Sequence, residues 1–172
     1  MSAVSQSPPR IDAPRPGRWE TLGAVGSIAL VVSVLFLPWF SLAQTPTRMA
    51  GDGFVCGAGR FSCTAFETFP LMRWLLLAIA LAPLVSAYVL ARGSSGGWPL
   101  GEMTAVAGSL GAVLILYNGV IDHPGVGVEE AGIAIGYGYW IALAGTIAIA
   151  VAGMMRVSDT DAKRARRPPG VL

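Results

Sequence analysis

Ile28-Ala29-Leu30-Val31-Val32-Ser33-Val34-Leu35-Phe36-Leu37 holds a single polar side chain, the hydroxyl of Ser33. The run shows no alternation of apolar and polar residues, which a strand of a membrane β-barrel requires. It sits inside an apolar stretch covering 21–43, and three more such stretches follow at 71–91, 101–121 and 131–155. A bilayer core is ~30 Å thick, so a helix rising ~1.5 Å per residue needs about 20 apolar residues to cross it. In lipid no water is present to pair backbone N–H and C=O groups, so continuous apolar runs of this length must be helical. The expectation is an all-α membrane protein, a bundle of four transmembrane helices with one long outer loop at 44–70. Composition agrees. Hydrophobic residues make up 53 % of the 172 and charged residues 13 %, where a soluble domain carries about 25 % charged. Mean hydropathy is +0.60.

The first stretch follows Arg10, Arg15 and Arg18 and ends near Ser41-Leu42-Ala43, a triplet that a signal peptidase could accept. Its apolar run exceeds the ~7–15 residues of a signal peptide. Trp19 and Trp39 bracket it as interfacial anchors do. It is read as a retained span.

Basic residues stay on the cytoplasmic side. Arg10, Arg15, Arg18, Arg92, Arg156, Lys163, Arg164, Arg166 and Arg167 would share one side of a four-span chain, against Arg48, Arg60 and Arg73 on the other. This asymmetry predicts a multi-pass protein of the cell membrane with both termini in the cytoplasm. Residues 1–18, rich in Ser, Pro and Arg, read as a disordered tail, 19–155 as the transmembrane domain, and 156–172 as a basic tail.

Cys56 and Cys63, the two cysteines, both fall in the outer loop. Disulfides persist outside the cytosol, and Gly57 and Gly59 allow the turn of a short ring. A disulfide between them is expected. Two cysteines with no histidine nearby cannot complete a zinc site. Thr64–Phe69 is expected to make one helical turn, with Phe66 and Phe69 entering the interface. Pro83 falls mid-span and is expected to kink the second helix by freeing the carbonyl of Ile79. Small residues recur four apart at Gly101/Ala105, Ala107/Gly111, Gly132/Gly136 and Ala144/Ala148, a spacing that lets membrane helices approach closely.

The candidate chemistry is sparse. No Asp, Glu, Lys, Arg or His falls near the middle of a span. This argues against a proton-coupled transporter, a charge-lined channel and an intramembrane metalloprotease. No P-loop, GxSxG or HExxH is present. Ser33, Ser86 and Ser109 have no His or Lys within a span to activate them. His123, with Asp122, Glu129 and Glu130, reads as a solvated acidic loop rather than a metal site. The most polar intramembrane spot is Tyr117-Asn118. Asn118 is expected to bond across to Tyr137 or Tyr139, as packing glue or as the lining of a small ligand site. No catalytic residue, cofactor or metal is assigned. The implied partners are the lipid bilayer and another membrane or envelope protein, not nucleic acid; the basic tail suits anionic headgroups.

Several span ends carry a likeness. They are Trp19-Glu20, Leu37-Pro38-Trp39-Phe40, Tyr117-Asn118 followed by Pro124, and Gly136-Tyr137-Gly138-Tyr139-Trp140-Ile141-Ala142-Leu143-Ala144-Gly145. Over about residues 19–155 the chain resembles small four-span membrane proteins of actinobacteria, which generally have no assigned activity. The resemblance implies the four-span fold and no catalytic residue. A cysteine pair in the first outer loop is also a claudin-type layout, but Gly53-Phe54-Val55-Cys56 stands where those proteins have Gly-Leu-Trp before the first cysteine. The expected function is a non-enzymatic binding or scaffold component of the envelope. The alternative is a small transporter, or a subunit of one, for a neutral solute.

Overall fold

The computed structural model describes residues 17–42, 62–92, 100–121 and 133–165. The expected disulfide partner Cys56, the His123 loop and Gly132 lie outside these residues. The chain order is α1 (Arg18–Phe36), β1 (Pro38–Leu42), β2 (Ser62–Thr64), α2 (Ala65–Thr68), α3 (Met72–Ala91), α4 (Leu100–Leu116), a π-helical turn (Tyr117–Ile121), β3 (Ile133–Ile135) and α5 (Tyr137–Ala165). Four helical stretches are long and apolar enough to cross a membrane: Arg18–Phe36, Met72–Val89, Leu100–Ile121 and Tyr137–Asp159. The fold is the expected all-α four-helix bundle, with the four long helices running alternately up and down.

Packing follows the ring α1–α3–α4–α5, with α5 pressed against both α1 and α4. Glycines set the closest approaches. A Cβ on Gly26 of α1 would stand 2.8 Å from the carbonyl oxygen of Gly145 in α5, and one on Gly145 would stand 2.9 Å from that of Gly26. On the other side of α5, Gly108 of α4 faces the backbone of Thr146 and Ala150, while Gly153 faces Gly101 and Ala105. Such contacts let dispersion act between backbones, where lipid supplies no hydrophobic drive for association. The Gly101/Ala105 pair thus falls on the α4–α5 seam. Ala144 faces outward, and Ala148 meets α1 at Gly26. Gly136 precedes α5 and is not part of a helix seam.

α1 stops at Phe36, short of the expected 43. Pro38 disfavours the α region at the residue before it, and Leu37 is extended at φ −95°, ψ 143°. The chain then enters β1, the central strand of a three-stranded antiparallel sheet ordered β2-β1-β3. Phe40 pairs with Cys63 on one side and with Ile135 on the other. The sheet closes one end of the bundle, hereafter the capped end. The opposite end gathers Trp19, Glu20, Arg156 and Asp159 and is called the polar end. α5 continues to Ala165, so the first part of the expected basic tail is helical.

Candidate functional site

The capped end is built around Trp39, which is fully buried and not the interfacial anchor expected of it. The β1–β2 register shifts between Pro38 and Phe40, and a bulge of this kind bends a strand and re-aims its side chain. The indole Nε1 donates to Ser33 Oγ at 3.0 Å and to the Ser33 carbonyl at 3.2 Å. The Ser33 hydroxyl in turn donates to the carbonyl of Gly138 at the start of α5. A Cβ on Gly138 would stand 2.7 Å from the Pro38 carbonyl oxygen, so glycine is required for β1 to reach α5. Gly136 N–H completes the joint on the Trp39 carbonyl at 2.7 Å. One hydroxyl and one indole therefore tie the end of α1, strand β1 and the start of α5 together.

Aromatic rings fill the space around this joint. Trp39 meets Tyr139 edge-on at 5.7 Å and Phe69 at 6.3 Å, and Phe40 meets Phe69 at 6.0 Å. Offset and edge-to-face pairs are the favourable aromatic geometries. α2 forms where the sequence places a helical turn. Thr64 precedes it, and the Glu67 carboxylate accepts the Thr64 N–H at 3.2 Å, half of a capping box. Phe66 and Phe69 are half-buried against the core. Cys63 is buried in β2, with Thr68 Oγ1 3.4 Å from its sulfur.

The expected polar cluster divides. Tyr117 and Tyr137 face outward. Asn118 Nδ2 donates to the Leu114 carbonyl of its own helix at 2.9 Å, and among the described residues no bond joins it to Tyr137 or Tyr139. The cross-helix contact is made by Tyr139, whose hydroxyl donates to the Ile115 carbonyl at 3.2 Å. A π turn shifts the backbone bonding pattern by one residue, and Ile115 lies just before that shift. The Tyr139 ring also lies where a Cβ of Gly119 would be. Asn118 has an easier acceptor one turn back than any across the seam.

The polar end was not foreseen as a site. Arg156 Nη2 meets Glu20 Oε1 at 3.3 Å, and Trp19 Nε1 donates to Asp159 at 3.0 Å. Glu20 also accepts the Gly17 N–H at 3.1 Å, which caps α1. Just inside this pair the four long helices meet at a cleft lined by Trp19, Gly23, Pro83, Thr104, Gly153 and Arg156, with about 10 Å³ of open volume. That is the lower limit for one water molecule. Thr104 Oγ1 and Ser86 Oγ share a hydrogen bond of 3.1 Å between α4 and α3. Each oxygen also lies 2.8 Å from a carbonyl of its own helix, Ser86 from Ala82 and Thr104 from Leu100. With one proton apiece, one hydroxyl donates across the seam while the other donates to its own carbonyl. The arrangement clamps helix ends and can hold a water.

The interior hydroxyls are engaged in the same manner. Ser27 donates to the Gly23 carbonyl and Thr146 to the Leu143 carbonyl, each at 2.9 Å. The only sequence signals for the clamps were Trp19-Glu20 and Arg156 themselves, which nothing in one dimension pairs. No protein-family model matches the chain, and no curated protein matches it in sequence.

Proposed function

We propose that this protein is a non-enzymatic binding or scaffold component of the cell envelope, held in the membrane by its four helices with both termini in the cytoplasm. The observation that carries the reading is the capped end. Strands β1, β2 and β3 and the joint Trp39–Ser33–Gly138 hold non-helical segments in one fixed arrangement on top of the bundle. A surface supported by locked side chains and their hydrogen bonds can present a constant face to a partner. The glycine seams support binding over transport, because helices in backbone contact leave little room between them for a solute path. The Ser and Thr hydroxyls bonded to helix carbonyls or to one another support a non-enzymatic role, since an activated nucleophile needs an adjacent base.

The orientation rests on the nine-to-three distribution of basic residues. It puts the sheet and the Cys56–Cys63 disulfide outside the cell, where such a bridge persists. The kinship we propose is with the small four-span actinobacterial proteins. Cross-linking in native membranes followed by affinity purification tests the reading. A stoichiometric partner linked through the sheet or the 44–70 loop is expected. Recovery of the chain alone, as an oligomer that moves a neutral solute into liposomes, replaces this reading with the transporter.

A further inference from the structure

Arg73 stands in the first turn of α3, at the capped end and at the edge of the span Met72–Val89. Its guanidinium lies over the Phe66 ring at 4.5 Å and near the Trp74 ring at 5.6 Å. Nη1 donates to the Phe66 carbonyl at 3.1 Å. Nε is buried, with no hydrogen-bond partner among the described residues. A guanidinium has five N–H donors and is always charged, so this cation is short of acceptors and has no carboxylate paired to it among the described residues. The neighbouring acid, Glu67, is held on the Thr64 N–H. Beside Arg73 the apolar side chains are open: Leu71 is 80 % exposed, Trp74 59 % and Leu75 50 %.

A span of 18 residues rises about 27 Å, close to the hydrocarbon thickness. Arg73 therefore sits at the depth where lipid phosphates begin. Arg73 as a whole is half-buried. Its terminal nitrogens, not the buried Nε, are the donors a phosphate takes, and the two rings packed against it shield that side from water, which strengthens charge-assisted bonds. The exposed Leu71, Trp74 and Leu75 offer an apolar surface next to it, which acyl chains would cover and a free anion would not. We propose that Arg73, packed against the Phe66–Trp74 ring pair, binds the phosphate of a phospholipid with a net negative headgroup. A zwitterionic headgroup carries its own ammonium to offset the phosphate, so the Arg73 cation, with no carboxylate on it among the described residues, selects the anionic lipid. This inference is independent of which partner, if any, the capped end binds.

Native mass spectrometry of the detergent-solubilised full chain, mixed with equimolar phosphatidylglycerol and phosphatidylcholine, tests it. Phosphatidylglycerol should be retained about fivefold over phosphatidylcholine, the scale of one basic residue acting on an anionic headgroup. Arg73→Gln should abolish the preference. The basic tail must be separated from this effect. A chain with Lys163, Arg164, Arg166 and Arg167 all changed to Gln, which leaves Arg73 and its rings untouched, should keep the preference whether or not the Arg73→Gln protein folds. Equal retention of the two lipids by the unaltered chain overturns the proposal. So does loss of the preference in the tail variant, or its survival in a folded Arg73→Gln protein. Displacement of the lipid by excess inorganic phosphate also overturns it, because the site would then belong to a soluble anion.

Discussion

The Tyr139 hydroxyl of α5 reaches the Ile115 carbonyl of α4 at 3.2 Å, and the same ring fills the space beside Gly119 in the π turn. The two contacts join α4 to α5 at the capped end, and they differ in kind. Tyr139→Phe removes only the hydrogen bond and should cost about 0.6–1.7 kcal/mol, the range for polar contacts between membrane helices. Gly119→Ala drives a methyl group into the ring and should cost more, about 1–3 kcal/mol. Unfolding both variants in mixed micelles checks the order. A Tyr139→Phe protein less stable than Gly119→Ala would show that the ring is not packed as described.

The reciprocal contact of Gly26 and Gly145 sets the α1–α5 distance. Gly26→Leu should separate these helices and cost roughly 3 kcal/mol or more, beyond ordinary overpacking because backbone, not a movable side chain, opposes it. Ala144→Leu, one residue before Gly145 but on the exposed face, should change stability by less than about 0.5 kcal/mol. Thermal midpoints in detergent separate the two outcomes.

Asn118 bonds its own helix at Leu114. A double-mutant cycle between Asn118→Leu and Tyr139→Phe should therefore give a coupling below about 0.5 kcal/mol. A larger coupling would mean that the two side chains share a network after all.

At the polar end Glu20 serves both Arg156 and the Gly17 N–H. Glu20→Gln should thus weaken the bundle by about 1 kcal/mol through the ion pair and the helix N-terminus together, and Arg156→Gln by about 0.5 kcal/mol. The pair is partly exposed, so both effects should shrink as salt is raised. Chemical unfolding at low and high ionic strength measures this.

The cysteine pair makes a covalent test. Non-reducing peptide mapping of protein from oxidised membranes should recover Cys56 and Cys63 in one linked fragment. Closing so short a ring should stabilise the loop by about 2 kcal/mol. Free labelling of both thiols without reductant would remove the bridge.

The number and helical nature of the spans were legible in sequence, because each is a one-dimensional property: apolar length measured against bilayer thickness. The end of α1 is legible too, in Leu37-Pro38, where the pre-proline restriction overrides the hydropathy of the residues that follow. The turn at α2 announced itself in Thr64-Ala65-Phe66-Glu67. What the tertiary structure alone decided is which faces meet. Small residues four apart occur throughout these helices, yet Gly26, Gly145, Gly108 and Gly153 lie at the closest approaches while Ala144 faces outward. Trp39 looks like an anchor from its position but is drawn inside by Ser33 and Tyr139. Glu20 and Arg156 stand 136 positions apart in the chain and 3.3 Å apart in space. Helix rotation and vertical register fix such contacts, and both are set by the joint packing of all four helices, which no single segment encodes.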